Sequence, residues 1–599
     1  MEVERNEYLI KRKFFKYLFP GIMMVAAMQL GNLVDSIIVG NLLGVNALSA
    51  INIGMPIVFL SQFAMILLGT GGSIVSSIFL GKHDKRSASN AFSQTYILVI
   101  GISLANLVAS IFYAYPLARL LTGGGELTQM TYEFMLTYCL GIPIIAVGYV
   151  LSNFLGIDNH PSQSAALHIV ANILNLASDF IFIKYCGLGI SGSVYSTILG
   201  YGVAGIIFAF IYSKSKRRTL SFVMKKSVFE LKLFFSSVKS GLPAGLMLLF
   251  SALKIGVLNA AVLAMTGDAG MAVYAVCVNS FFLVQLGLHG VSGVIQTISG
   301  VLYGEKDFYG IRYILKKVIV ISTGIAIALN LLFVLAPGVV EGMFGFDMPA
   351  MKQVCDLALQ IYSASFLLYA FNNILQTYYA TIEKPILGTI NTILQGMVIL
   401  IPLTLCLLPF TGVVGTSIAS VGAELLAFVI VMLVRIIMQK KGKLDGTHFD
   451  ALPDRNEHQF ADITVSGASE SASSTAHKMY DICLDLNLTK NTANTVAIAV
   501  EELIDNIRRY GSGINSFVDI CLYKDENGLL LRVRDDGPIF NPLKDLEDNK
   551  DDAFDEDGIL KVTGLRLIYS IATKLDYTRV LDLNNTIVEF PLEYAGGEV

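Results

Sequence analysis

The sequence predicts a polytopic α-helical membrane protein. It has twelve transmembrane helices arranged as two parallel six-helix repeats, followed by a C-terminal cytoplasmic α/β sandwich domain. Three observations support this fold class. The 599 residues have a mean hydropathy of +0.62, and only 15% of them are charged, whereas about 25% are charged in soluble domains. Long uncharged segments end near residue 438, and equivalent residues recur at a constant offset.

The membrane spans come from these uncharged segments, because a helix needs about 20 apolar residues to cross the hydrocarbon. Lysine and arginine cluster before the first span and after spans two, six, eight and twelve. Since cytoplasmic loops are rich in these residues, we expect a multi-pass protein of the cell membrane with both termini in the cytoplasm. The predicted spans are 15–38, 47–80, 91–115, 131–155, 163–185, 190–213, 235–264, 270–303, 315–336, 355–380, 388–409 and 413–438.

The membrane region is duplicated. Residues of the first half recur 223 positions later, as in the pairs Pro20/Pro243, Gly81/Gly304 and Gly192/Gly415. Because six is an even number of spans, both halves enter the membrane from the same side and form parallel repeats. This predicts an N-lobe over 1–230 and a C-lobe over 231–440. Such two-lobed folds hold a substrate between or within the lobes, so a transporter is favoured over a duplicated channel or scaffold.

Two carboxylates lie inside predicted spans, Asp35 in the first and Asp179 in the fifth. An ionisable residue at mid-membrane costs about 2.5–3.5 kcal/mol or more and therefore usually has a function or a partner. Asn175 lies on the same helical face as Asp179, and Thr197 lies in the sixth span. These oxygens predict a site for Na+ or H+; the alternative is a structural role, in which each Asp caps a broken helix or packs against a Ser. The repeat argues against that alternative, because the equivalent positions carry Leu258, Pro402 and Ser420.

The membrane region resembles the multidrug and toxic compound extrusion (MATE) family over about residues 10–440. The resemblance rests on D-S-I-I-V-G-N-L-L-G at 35–44, the G-x-x-D turns at 81–84 and 304–307, and N-x-x-x-D at 175–179. It implies an antiporter that exports organic, often cationic or drug-like compounds against Na+ or H+. It also implies that Asp35, Asn175, Asp179 and Thr197 bind the coupling cation.

The sequence departs from this family in the C-lobe. Some members have a cation-binding acid in span seven, where this chain has Lys254, and span ten offers Asn372 and Asn373 instead of acids. We therefore expect no cation site in the C-lobe. Lys254 and Asn372 are instead candidates for the substrate pocket. Alternatively, Lys254 pairs with Glu424 of span twelve or extends to the membrane surface.

The C-terminal region is acidic and predicts a linker over 441–460 and a compact α/β domain over 461–599. Its pattern predicts a strand at FADITVSGAS, helices over 470–486 and 492–511, a hairpin over 518–537, a helix over 563–577 and a final strand at TIVEFPLEY. Glu526-Asn527-Gly528 signals the hairpin turn.

Several residues of this domain suggest nucleotide chemistry. Glu502 and Asn506 share one helical face and could hold a Mg2+ ion and orient a water. Asp535 ends a strand, where a carboxylate can accept from an exocyclic amine. Gly564 opens a helix, where free N–H groups favour phosphate.

In their order and spacing these residues resemble the GHKL ATP-binding fold, most closely the anti-sigma-factor serine kinases. The resemblance implies that Glu502 is the catalytic base and Asn506 the Mg2+ ligand, so that ATP/Mg2+ is a possible cofactor. Asp535 would bind adenine with Gly537 as backbone support, and Gly564 would face the phosphates. The departures are Ile539 and Val562 in place of two family glycines, and an acidic segment over 544–558 that would repel a triphosphate.

Three functions remain open from the sequence. The first is ion-driven export with a regulatory tail, which the absence of a P-loop motif favours over an ATP-driven pump. The second is a membrane-anchored, serine-kinase-like or partner-binding regulator that uses the transporter body as a sensor, and the third is a lipid or lipid-linked sugar flippase. Expected partners are membrane lipid, a small organic substrate, and a cytoplasmic protein or a second tail in a dimer. Nothing suggests nucleic acid, and the seven scattered Cys signal neither zinc nor a redox pair.

Overall fold

The computed structural model describes residues 2–223, 229–446, 448–453, 459–466, 472–510, 517–525, 528–544 and 563–594. The chain divides into two units. One comprises Phe14–Leu452 and is called the membrane unit here. The other combines Met1–Lys13 with Pro453–Val599 and is called the tail unit. The first thirteen residues therefore belong with the C-terminal domain, although the sequence placed them in the N-lobe.

Six long helices form the first half of the membrane unit in the described part of the chain. The fifth continues as a π-helix over Phe180–Tyr185, beginning directly after Asp179. The helices are α1 (Tyr8–Leu43), α2 (Val45–Gly81), α3 (Lys85–Thr122), α4 (Thr128–Ile157), α5 (Pro161–Asp179) and α6 (Gly189–Ser213).

The second half repeats this pattern with more interruptions. Two π-helical segments, Ile295–Ser299 and Leu394–Val398, and one 3-10 turn, Pro349–Met351, separate its helices. The helices are α7 (Leu231–Val294), α8 (Gly300–Gly304), α9 (Phe308–Leu335), α10 (Pro337–Met343), α11 (Lys352–Ser363), α12 (Ser365–Thr381), α13 (Pro385–Ile393), α14 (Leu400–Thr411) and α15 (Val414–Lys440).

The described residues contain 11 helical stretches that are long and apolar enough to cross a membrane. One of them, Leu231–Gly304, has 74 residues and would extend about 110 Å, more than three times the hydrocarbon thickness. It is not one straight helix, because Gly267 has φ 65° and breaks it. This break separates predicted spans seven and eight, so the twelve-span fold is confirmed.

The repeat is visible where the two lobes pack together. A Cβ at Gly81 would overlap the carbonyl oxygen of Val301, and a Cβ at Gly304 would overlap the carbonyl oxygen of Ile78. These contacts exchange under the 223-residue offset, and the hydrogen bond from Gln296 Nε2 to Ser73 Oγ (3.1 Å) joins two residues 223 apart. The ends of α2 and α8 therefore meet around an approximate twofold axis with backbone in direct contact.

The tail unit is a six-stranded sheet covered by helices. Its strand order is β1-β2-β3-β4-β6-β5; β1 pairs in parallel with β2, and the other neighbours are antiparallel. Apolar residues from the sheet and the helices form one buried core. The elements are β1 (Glu2–Glu4), β2 (Gln459–Ser466), α16 (Ala472–Asp485), α17 (Lys490–Tyr510), β3 (Phe517–Asp525), β4 (Gly528–Asp535), α18 (Thr563–Ile571), β5 (Lys574–Val580) and β6 (Leu583–Phe590).

One predicted element of the tail is wrong in part. The helix expected over 563–577 ends at Ile571, and the following residues form β5. Leu575 and Tyr577 alternate as buried residues in that strand, and the turn into β6 uses Leu581 and Asp582 with φ of 55° and 57°. The hairpin with β6 therefore overrides the helical pattern that the sequence shows locally.

Candidate functional site

The predicted cation residues come together in the N-lobe, on α1, α5 and α6. Asp179, the last residue of α5, is fully buried. Asn175, one turn earlier, donates from Nδ2 to Thr197 Oγ1 on α6 at 3.1 Å. Ser193, which sequence reasoning missed, donates from Oγ to Asp35 Oδ1 at 3.4 Å. The cluster thus contains two carboxylates, an amide and two hydroxyls.

Asp179 has the fewest hydrogen-bond partners of the residues in this cluster. Among the described residues, neither of its carboxylate oxygens accepts a hydrogen bond of normal geometry, although both are buried and the Ser196 side chain lies close by. Its closest charged neighbour is the Asp35 carboxyl group. Two adjacent buried acids, of which only Asp35 accepts a side-chain hydrogen bond from Ser193, repel each other unless a cation or a shared proton lies between them, so these residues fit a monovalent ion. The π-helix after Asp179 shifts the register of the span at this point, a feature that is frequent at functional sites.

Close helix packing brings Asp35 toward α5. A Cβ at Gly31, one turn before Asp35, would overlap the side chain of Asn172. Asn172 donates to the carbonyl oxygen of His168 at 2.8 Å. A larger residue at position 31 would therefore displace the Asn172 side chain from its present position.

The C-lobe has a different polar cluster around Glu424 of α15. Asn372 Nδ2 donates to Glu424 Oε2 at 2.8 Å and to the Glu424 carbonyl oxygen at 2.9 Å. Gln395, in the π-helix before α14, also donates to Oε2. Lys254 forms no hydrogen bond or ion pair within the described ranges, so the considered pairing with Glu424 is not a direct contact.

Two neighbouring cavities of about 290 and 120 Å3 lie in the C-lobe. Lys254 lines both, and Glu424 lines the smaller one. Asn372 lines neither; it is fully buried and holds Glu424 in place. Sequence reasoning named Glu424 only as a possible partner of Lys254, because the donors that surround it come from distant helices.

In the tail unit, Asp535 is the last residue of β4 and is buried. Its Oδ1 accepts from the Gly537 backbone N–H at 2.8 Å and from Asn584 Nδ2 at 3.0 Å, whereas Oδ2 accepts no bond in the described part of the chain. Burial raises the pKa of the Asp535 carboxyl group above its ordinary value. Asn584 on β6 was missed, because only the sheet pairing reveals that it faces Asp535.

The predicted magnesium and phosphate residues lie on packed helices. Asn506 on α17 is buried, and its Nδ2 has no partner among the residues that the structure describes; Glu502, one turn earlier, is half-buried. The α17 helix packs against α18, whose first turn contains Gly564. The Asn506 Oδ1, and not the unpaired Nδ2, is the atom of this amide that can coordinate Mg2+. Ile539 is 47% exposed, whereas Val562 and segment 545–558 lie outside the described residues.

Comparison with known proteins agrees with both halves of this description. The MatE family model matches residues 20–181 and 243–437, more than half of the chain. The chain belongs to the MATE family. A second model, the histidine kinase-like ATPase domain, matches residues 468–590, so this MATE protein has an ATPase-like domain after its membrane region.

Several relatives and solved structures are similar to this MATE protein. It is 26% identical over 459 residues to the multidrug export protein MepA of Staphylococcus haemolyticus, which covers 74% of this chain and 98% of that protein. It is 28% identical over 233 residues to the probable multidrug resistance protein YpnP of Bacillus subtilis, covering 38% and 51%. A transporter of the MOP superfamily from Pyrococcus furiosus matches with a TM-score of 0.66 at 21% identity, covering 74% of this chain and all of that one. The multidrug transporter DinF-BH matches with a TM-score of 0.65 at 21% identity, covering 74% and 98%.

Proposed function

We propose that this MATE protein is an antiporter that exports organic, drug-like compounds in exchange for Na+ or H+ bound in the N-lobe. The buried Asp179 carboxylate carries this proposal, because neither of its oxygens accepts a hydrogen bond of normal geometry in the described residues and Asp35 lies beside it. The relatives named as multidrug export and multidrug resistance proteins support organic compounds as the cargo.

The N-lobe residues divide the work of ion binding. Asp35 and Asp179 supply the negative charge, which one monovalent ion offsets. Thr197 Oγ1 accepts from Asn175, so the Asn175 Oδ1 and the Thr197 hydroxyl are oriented as a fixed pair. A proton or Na+ entering this cluster removes the repulsion between the two acids, and its departure restores it. Ion occupancy therefore changes the free energy of bringing α1 and α5 together, which couples the ion to lobe movement.

Transport in proteoliposomes tests the coupling. With a Na+ gradient or a pH gradient imposed separately, uptake of a fluorescent dye by the full chain should follow one of the two gradients. Asp35→Asn and Asp179→Asn should each abolish gradient-driven uptake. Asp268→Asn, at an exposed carboxylate of the C-lobe, is the matched control and should transport normally. Normal gradient-driven transport in both N-lobe variants would refute the proposal.

We also propose that both termini are cytoplasmic and that the tail unit binds nucleotide and regulates transport. The lysine and arginine distribution supports the orientation. Regulation is supported by the shared helix: α1 begins at Tyr8, within the segment that belongs to the tail unit, and continues to Leu43 past Asp35. In the tail unit, Arg12 of this helix forms an ion pair with Asp536, next to the proposed adenine partner.

Calorimetry on the full chain with ATP tests the nucleotide proposal. Binding should require Mg2+ and should be lost in Asn506→Ala, because the buried amide is the proposed ligand side chain. Asn491→Ala, at an exposed position near the start of the same helix, should bind as the wild type does. Absence of ATP binding in the wild type would leave the tail as a protein-docking domain, without effect on the ion-coupling proposal.

A further inference from the structure

We infer that the C-lobe cavity around Lys254 binds substrates that carry an anionic group on an aromatic or apolar body. This inference rests on the proposed export function and names the chemical class of its cargo. It differs from the family resemblance, which implies cargo that is often cationic.

Aromatic side chains line both parts of the cavity. The larger space, about 290 Å3, and the smaller, about 120 Å3, share Lys254, Phe281 and Tyr362 among their lining residues. Tyr274 lines the larger space and Tyr369 the smaller. Phe281 packs edge-on against Tyr369 with ring centroids 4.7 Å apart. These rings offer flat apolar walls to an aromatic ligand.

The two charged residues of the cavity differ in their hydrogen-bonding partners. Lys254 and Glu424 are the charged residues that line it. Glu424 Oε2 already accepts from two amides, those of Asn372 and Gln395. Lys254 has three N–H donors and no acceptor in the described part of the chain. The group that lacks a partner is therefore the ammonium, and its complement is an anion.

Lys254 lies in a membrane-spanning part of α7, where an unpaired charge is costly. A cationic side chain within the membrane is costly and pairs with a counter-charge or faces a pathway. The C-lobe has no counterpart of the Asp35–Asp179 pair, because Leu258 and Pro402 stand at the equivalent positions. An incoming carboxylate, sulfonate or phosphate would make charge-assisted hydrogen bonds with Lys254, while its apolar body packs against Phe281 and Tyr362.

Two ligands with one body and opposite charge test the inference on the full chain. 2-Naphthoate and 2-naphthylmethylammonium share the naphthyl ring, and the chain has no tryptophan, so naphthyl fluorescence is measured without that background. The protein in phosphatidylcholine nanodiscs should bind 2-naphthoate more tightly by about tenfold or more, since a hydrogen bond to a charged group contributes at least that factor.

Variants then assign the preference to Lys254. Lys254→Met should remove the preference for the anion, and Lys254→Arg should keep it. Lys232→Met, at an exposed lysine of the same helix α7, should leave it unchanged. If Lys254→Met does not fold, Lys254→Gln and the wild-type comparison of the two ligands still decide. Equal affinity of the wild type for both ligands, or a preference that survives the loss of Lys254, overturns the inference.

A second arm distinguishes a soluble anion from a lipid headgroup as the natural source of the charge. Adding phosphatidylglycerol to the nanodiscs should weaken 2-naphthoate binding in the wild type, and not in Lys254→Met, if the anionic lipid occupies the same site. If phosphatidylglycerol does not compete, the site binds soluble anions. Asp35→Asn should retain the anion preference, so a failure of ion coupling with intact binding refutes the proposed antiport and leaves this inference standing.

Discussion

At the scale of single residues, the two lobes place unsatisfied polar groups of opposite sign in the membrane unit. Asp179 in the N-lobe accepts no hydrogen bond of normal geometry, and Lys254 in the C-lobe has no acceptor, within the described residues. The sequence could predict both, because a charge within a long apolar segment is conspicuous. It could not predict Ser193 or Asn584, because hydroxyl and amide residues are common and only the fold shows which acid each one faces.

Thr197→Val should weaken the apparent affinity of transport for its coupling ion by about fivefold, which corresponds to the loss of one hydrogen-bonding group of about 1 kcal/mol. Valine keeps the shape of threonine but cannot accept from Asn175 Nδ2. The measurement is the ion concentration at half-maximal uptake. Ser420→Ala changes the repeat-related position of the C-lobe and should leave this concentration unchanged; an equal shift in both variants would contradict the assignment of the ion to the N-lobe.

Nucleotide binding should depend on pH through Asp535. Burial raises the pKa of this carboxyl group, and only the ionised form is a full acceptor for an exocyclic amine. As pH falls, Asp535 should therefore become protonated at a higher pH than an exposed aspartate, and ATP affinity should fall with it. Calorimetry across acidic pH gives the profile. Asp535→Asn removes the titrating group, so its profile should be flat in the same range; an unchanged profile would assign the pH dependence to another residue.

At the scale of elements, the sequence predicts the membrane helices well and the strands of the tail unit less well. The apolar segments located all twelve spans, because length and polarity alone decide whether a helix can cross lipid. The break between spans seven and eight lies at Gly267, which has a positive φ. By contrast, the sequence predicts a helix over 574–577, the first part of β5, because the pairing partner of β5 follows it along the chain and a local period does not contain that information.

Gly304→Ala should destabilise the contact between the ends of α2 and α8. Its new Cβ would overlap the carbonyl oxygen of Ile78, and overpacking of this kind costs about 1–3 kcal/mol. The distance between spin labels at Lys82 and Lys306 should therefore lengthen, and transport should slow. Gly293→Ala adds the same atom where nothing lies within 4 Å and should change neither; equal effects from both variants would show that the contact does not control lobe spacing.

At the scale of the whole molecule, the two ends of the chain fold together in one unit. The β1 strand pairs with β2, joining Glu2–Glu4 to residues more than 450 positions away. No sequence pattern indicated this, because a three-residue strand is too short to recognise and its partner lies more than 450 positions further along the chain. The sequence therefore predicted a tail domain beginning at 461 that lacked one strand of its sheet.

Removing the Arg5 side chain should unfold the tail unit more readily, because it is part of a buried charge network. Arg5 bonds Asp462 at 3.0 Å and lies 3.6 Å from Asp519, which Arg534 also contacts at 2.9 Å. Arg5→Ala removes the buried ion pair with Asp462 and weakens the network around Asp519, a loss of about 3–5 kcal/mol.

Hydrogen exchange of β2 and β3 in the full chain measures this loss. Arg12→Ala removes an arginine whose side chain is 60% exposed, so its effect should stay below about 1 kcal/mol. A fragment that begins at Pro453 lacks Arg5 and β1 and should exchange as fast as Arg5→Ala, whereas a fragment with residues 2–13 supplied as a peptide should recover protection. If Arg5→Ala exchanges no faster than Arg12→Ala, the N-terminal segment does not stabilise the tail unit, and the proposed regulatory role of α1 loses its support.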